Sequence, residues 1–228
     1  MQRRRETDTT PAKVLAPDTA ALEPRTALLD QMVPARDHAV VWIDGPPGTG
    51  KTSLAAQALA HFSGYRIWLR VDPGDADAAD FFHFLHHAAV AAGLDADRLP
   101  RFSAEYAGEP AAFARRFLHA CSRHGDWSLT LDNLEAVAPG TPPHGLIAVA
   151  PTARTPASVL VVTSRDEPDA DRARLRVESV LQRLCAEDLR LGPEEAARMA
   201  RRAGVDWSAA NVEHALERLQ RLVALAVG

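Results

Sequence analysis

The stretch D44-G-P-P-G-T-G-K-T-S53 decides how the rest of the chain is read. Its residues 45–52 match G-x-x-x-x-G-K-[ST] in full, the P-loop or Walker A pattern. Residue frequencies alone would produce it in about 1% of chains of this length. The flanks narrow that further. Residues 38–44 (HAVVWID) read as a buried strand, and residues 51–62, rich in Ala and Leu, read as a helix. A glycine-rich turn between strand and helix folds the backbone around an anion, with several N–H groups pointing inward. The helix start adds the positive end of its dipole. In this pattern Lys51 is expected to reach the β- and γ-phosphates and the Thr52 hydroxyl to ligate Mg²⁺. ATP or ADP with Mg²⁺ is therefore the expected ligand. Gly45, Pro46, Pro47, Gly48, Thr49, Gly50, Lys51, Thr52 and Ser53 are its expected cradle.

Such a site needs an acidic residue at the end of a neighbouring strand to hold the magnesium shell. Residues 128–132 (SLTLD) end on Asp132, which is the expected Walker B aspartate and the second metal-site residue beside Thr52. Just beyond it, Asn133 and Glu135 carry side chains suited to orienting a water, and Glu135 could act as general base if it faces the γ-phosphate. Residues 158–163 (SVLVVT) form a further strand followed by Ser164-Arg165. There the Arg165 guanidinium would sense or stabilise the γ-phosphate.

Further out, residues 25–32, 77–92, 110–123 and 193–203 read as helices and residues 65–72 (YRIWLRVD) as a strand. A fifth strand is expected near residues 184–191, and a last helix over 208–227. Residues 139–156 hold five prolines and read as an irregular loop with at most a short helix around 146–149. Apolar strands alternating with helices predict an α/β fold: a three-layer P-loop NTPase domain with a mostly parallel sheet of about five strands. The expected division is a disordered tail over 1–12, the NTPase domain over 13–192 and the start of a small helical subdomain over 193–228.

The chain has 228 residues, 46% of them hydrophobic, and a net charge of −4. That length suits one such domain with a small appendage, and the acidity does not favour nucleic acid as a partner. Cys121 and Cys185 lie far apart, with no CxxC spacing, so neither a disulfide framework nor a zinc site is expected. With no signal peptide and no long apolar run, a soluble cytoplasmic protein is expected. His83 and His87 stand four apart and invite a metal reading, but no third ligand is near in sequence. With His86 they read as a half-exposed helix face.

Taken together, these residues resemble the ATPase module of the STAND class of signal-transduction ATPases, and within it the large ATP-binding LuxR-type, maltose-regulon-activator-like transcriptional regulators. Besides the P-loop, the resemblance rests on Trp68 to Asp72 with Asp75, Asp77 and Phe81 to Leu85, on Leu131-Asp132-Asn133-Leu134-Glu135 and on Val161 to Arg165. Leu175-Arg176, then Asp188 to Leu191 with Glu194-Glu195-Ala196, resemble the lead-in to the family's helical subdomain. Lys13, Pro17 and Arg25 before Leu28-Leu29 resemble its entry segment, which implies that Arg25 lies near the nucleotide base.

The resemblance implies a nucleotide-dependent switch: ADP holds a closed form, and ATP with a signal favours an open, self-associating one. The chain departs from the pattern at Asn133, where many relatives carry a second aspartate, so slow hydrolysis at most is expected. It also lacks the family's Gly-x-Pro motif near the C-terminal end. No winged helix, sensor repeats or helix-turn-helix effector fits in what remains, so the chain reads as a fragment of a longer regulator or a stand-alone remnant. Three other readings stay open: a nucleic-acid-associated ATPase, a nucleotide-binding interaction module without hydrolysis, and a small-molecule kinase whose arginine-rich lid would be residues 165–176.

Overall fold

The computed structural model describes residues 10–32, 38–169 and 180–202, with 204 and 211. The arginines Arg3 to Arg5 of the expected tail, the Leu175-Arg176 pair, most of the 165–176 stretch and nearly all of the expected 208–227 helix lie outside these residues.

Five strands form one wholly parallel sheet: β1 (Val40–Asp44), β2 (Tyr65–Arg70), β3 (Trp127–Asp132), β4 (Val159–Ser164) and β5 (Leu181–Leu184), in the order β2-β3-β4-β1-β5. The helices are α1 (Thr26–Met32), α2 (Lys51–His61), α3 (Ala78–Ala91), α4 (Pro110–His124), α5 (Pro142–Val149) and α6 (Pro193–Arg202). A parallel sheet buries both faces, and side chains alternate between them. Val40 and Trp42 pack with α3, α4 and α5, whereas Val41 and Ile43 pack with α1 and α2. The result is the expected α/β three-layer architecture. Among the described residues no helix is long and apolar enough to cross a membrane.

Two expectations need correction. The fifth strand is Leu181–Leu184, not residues 184–191, and it pairs with β1 at the sheet edge. As an edge strand it leaves Gln182 and Arg183 half-buried, so it carries little apolar signal. The proline-rich stretch is not mainly loop. Pro142 and Pro143 occupy the first turn of α5, where the missing N–H costs nothing and the fixed φ suits the helix. Leu146 and Ile147 of α5 are fully buried.

Near the N-terminus, Lys13 donates to Asp72 (2.7 Å) and to both oxygens of the buried Asp75 (2.9 Å). These carboxylates also cap a single helical turn, Pro73–Ala76. The entry segment thereby stitches to the loop after β2.

Candidate functional site

The strand order brings the expected site residues to one edge of the sheet. β4 lies between the P-loop strand and β3, so the carboxyl ends of β1, β4, β3 and β2 stand side by side. Residues two apart on a strand share a face. Thr163 lies on the α2 face with Val161, and Arg70 lies there with Trp68. Asp132 reaches the first turn of α2 through its bond to Thr52. A cleft of about 390 Å³ opens over them, reaching from Pro47 and Gly48 of the P-loop to Arg70.

On one wall stands the loop itself. Gly48 (φ 82°) and Gly50 (φ 87°) occupy the left-handed region, where a side chain would strain the backbone. Gly50 caps α2 without any side-chain hydrogen bond, so the first N–H groups of an 11-residue helix have no side-chain partner there. Lys51 folds back over the loop and donates to the carbonyls of Gly45 (2.6 Å) and Pro46 (3.0 Å). Burial holds its amine below the ordinary lysine value, aided by the nearby Arg165 charge and opposed by Glu135, Asp132 and Asp44.

The floor is a hydrogen-bond network. Thr52 Oγ1 donates to Asp132 Oδ1 (2.8 Å), and Thr163 Oγ1 donates to the same oxygen (2.7 Å). Thr163 in turn accepts from the Asn133 N–H (2.9 Å). Asn133 turns the chain through a left-handed conformation (φ 68°, ψ 43°), and its side-chain amide donates to the Val71 carbonyl (3.1 Å). That turn delivers Glu135, whose Oε1 lies 3.0 Å from Arg165 Nε. Most of the expected site residues therefore converge.

Arg25 does not line this cleft. Its guanidinium donates to the carbonyls of Leu189 and Arg190 and pairs with Glu195 of α6 (3.1 Å). Two cleft residues were missed in the sequence. Thr163 was hidden because only the strand order shows that β4 adjoins both Asp132 and the P-loop. Arg70 had a usable signal, its two-residue spacing from the buried Trp68. The histidines of α3 are not uniformly half-exposed. His83 is exposed and its ring centroid lies 4.5 Å from that of His87, but His86 is buried.

The residues present fit Mg²⁺ and a phosphate chain. Mg²⁺ takes hard oxygen donors, usually one or two from protein and the rest from phosphates and water. Thr52 and Asp132 supply such a pair, and the uncapped helix start supplies donors for an anion. Among the described residues, no cluster of three or more His, Cys, Asp or Glu could hold a metal unaided.

No protein-family model matches the chain. The HTH-type transcriptional regulator MalT of Vibrio cholerae serotype O1 is 28% identical over 210 residues, which cover 88% of this chain. The match spans only 23% of that regulator's length. The chain is thus distantly similar to about a quarter of a transcriptional regulator, a similarity that takes in the cleft-bearing sheet.

Proposed function

We propose that this chain is an ATP- and ADP-binding regulatory module, a nucleotide-dependent switch of a transcriptional regulator with slow hydrolysis at most. The observation that carries the reading is Asp132 Oδ1, shared between the Thr52 and Thr163 hydroxyls at the start of α2. A buried carboxylate at that point, beside a glycine-rich loop and a lysine, suits a divalent cation and the phosphates it would bridge. The distant similarity to a transcriptional regulator supports the regulatory half of the proposal.

In this reading the N–H groups of residues 48–53 and Lys51 hold the phosphates. Thr52 and Asp132 hold Mg²⁺, which would neutralise phosphate charge. Glu135 would orient a water and accept its proton, and Arg165 would bind the terminal phosphate in exchange for Glu135, a reading supported by their pairing at the cleft. The test is phosphate release and equilibrium binding of Mg-ATP and Mg-ADP by the purified chain, with Lys51→Ala alongside. Binding by wild type and its loss in the variant is expected. Equal binding by both proteins would overturn the assignment.

One observation favours a second reading, a nucleic-acid-associated ATPase. The exposed face of α4 carries Arg115, Arg116, His119 and Arg123, and α4 has no acidic residue. That reading requires DNA affinity that falls steeply with salt and DNA-stimulated turnover. Turnover unchanged by DNA would remove it.

A further inference from the structure

Three cations and two carboxylates line the cleft, and four of the five are engaged. Arg165 pairs with Glu135, Lys51 with two loop carbonyls, and Asp132 with two hydroxyls. Arg70 is the exception. It is exposed at the last position of β2, and among the described residues it makes no hydrogen bond or ion pair.

Its position is well fixed. Arg70 lies opposite Asp132 in the β2–β3 register, and neighbouring strands stand about 4.8 Å apart. Two bonds tie the strand ends together just past it: the Val71 N–H donates to the Asp132 carbonyl (2.7 Å), and the Asn133 amide donates to the Val71 carbonyl (3.1 Å). Alternation sets the direction. Trp68 is buried under α2, so Arg70 shares that face but sits beside the start of the helix. A guanidinium next to a carboxylate on the adjacent strand would ordinarily pair with it. Here the side chain of Asp132 accepts from Thr52 and Thr163 instead, and among the described residues Arg70 keeps its donors free.

We propose that Arg70 binds the terminal phosphate of a nucleoside triphosphate seated on the P-loop, and so sets the preference of this cleft for the triphosphate over the diphosphate. The inference rests on the nucleotide-site reading above. The loop follows β1 at one end of the cleft, Asp132 of β3 meets the first turn of α2 further along, and Arg70 of β2 lies at the other end, where the outermost phosphate would sit. Arginine suits this place, since its planar fork makes two charge-assisted bonds to one phosphate. A diphosphate would leave the far end unfilled and would not feel Arg70.

The experiment is calorimetric titration of the whole chain with Mg²⁺ and either ADP or a non-hydrolysable ATP analogue, for wild type, Arg70→Ala, Arg70→Lys and Lys51→Ala. Arg70→Ala should weaken the triphosphate analogue about tenfold and change ADP less than about twofold, as loss of a charge-assisted contact requires. Arg70→Lys should recover part of the loss, and Lys51→Ala should weaken both ligands. An unchanged triphosphate-to-diphosphate ratio in Arg70→Ala, with wild type still binding, overturns the role of Arg70 alone. Wild type that binds neither ligand overturns the nucleotide site and this inference with it.

Discussion

Arg165 Nε stands 3.0 Å from Glu135 Oε1, across the mouth of the cleft that also holds Lys51 and Asp132. The pair is lopsided: the arginine side chain is 58% exposed and the glutamate 15%. Glu135 Oε2 is buried without a hydrogen-bond partner among the described residues. A half-exposed pair of this kind contributes little to stability. Its consequence is that each partner blocks the other from a third group. Glu135→Gln should raise affinity for a triphosphate analogue roughly threefold, since one negative charge facing a polyanion is gone. The same change should lower any phosphate release about a hundredfold, the usual share of a general base. Calorimetry and a phosphate-release assay check both halves. Unchanged turnover would exclude Glu135 as the base.

Thr163 links two groups through one hydroxyl. It donates to Asp132 and accepts from the Asn133 N–H, and it is 1% exposed. Thr163→Val keeps the shape but orphans that N–H and removes one donor from a buried carboxylate. A loss of about 2 kcal/mol in urea unfolding is expected, the usual cost of a buried unsatisfied group. Thr163→Ser, which keeps the hydroxyl, should lose less than half of that. Equal losses would point to the lost methyl rather than to the network.

How much could be read in one dimension follows from the range of each signal. The P-loop was legible because its glycines, lysine and threonine act within eight consecutive positions. Asp132 and Arg165 were legible as polar residues closing apolar strands. Which strand adjoins which is not written locally. The place of β4 between β1 and β3, which makes Thr163 the bridge to Asp132, became visible only with the strand order. Arg25 illustrates the same point, since its partners at residues 189, 190 and 195 are more than 160 positions away. Two misreadings were chemical. Prolines that open a helix look like loop prolines, and a half-polar edge strand carries too little apolar signal to fix its position.

Asp44, the last residue of β1, is held by a two-pronged pair with Arg183 of β5: Nε to Oδ1 at 2.6 Å and Nη2 to Oδ2 at 2.7 Å. Arg183 also reaches Glu167 (2.9 Å), and these acidic partners hold its guanidinium well above its ordinary value. The carboxylate is nearly buried and immediately precedes the P-loop. Removing only the arginine strips a buried charge of its hydrogen-bonded partner, so Arg183→Met should cost about 3 kcal/mol. Asp44→Asn combined with Arg183→Met should recover part of the loss, because the stranded charge is gone. Urea midpoints of the two variants decide it. A double variant weaker than the single one would mean that the pair is not the source of the loss.

His86 makes stability depend on pH in a defined direction. Burial among the α3 core residues is the main reason its imidazole titrates below the ordinary 6.5. The charges of Arg101, His87 and His83 add to this, and a backbone hydrogen bond at Ala96 opposes it. Its Nε2 has no hydrogen-bond partner among the described residues. In the unfolded chain the same ring takes up its proton near 6.5, so on acidification the unfolded state gains the proton first. The contribution is therefore complete above pH 6.5 and is lost as pH falls below it, by at most about 1.4 kcal/mol per pH unit until the folded ring also protonates. Asp72, held below the ordinary carboxylate value by Lys13, acts only below 3.8 and does not overlap this window. Thermal unfolding of wild type between pH 7.5 and about pH 5 should show a falling midpoint, and His86→Leu should flatten that fall whatever its own stability. A slope unchanged in the variant would assign the acid sensitivity to other groups.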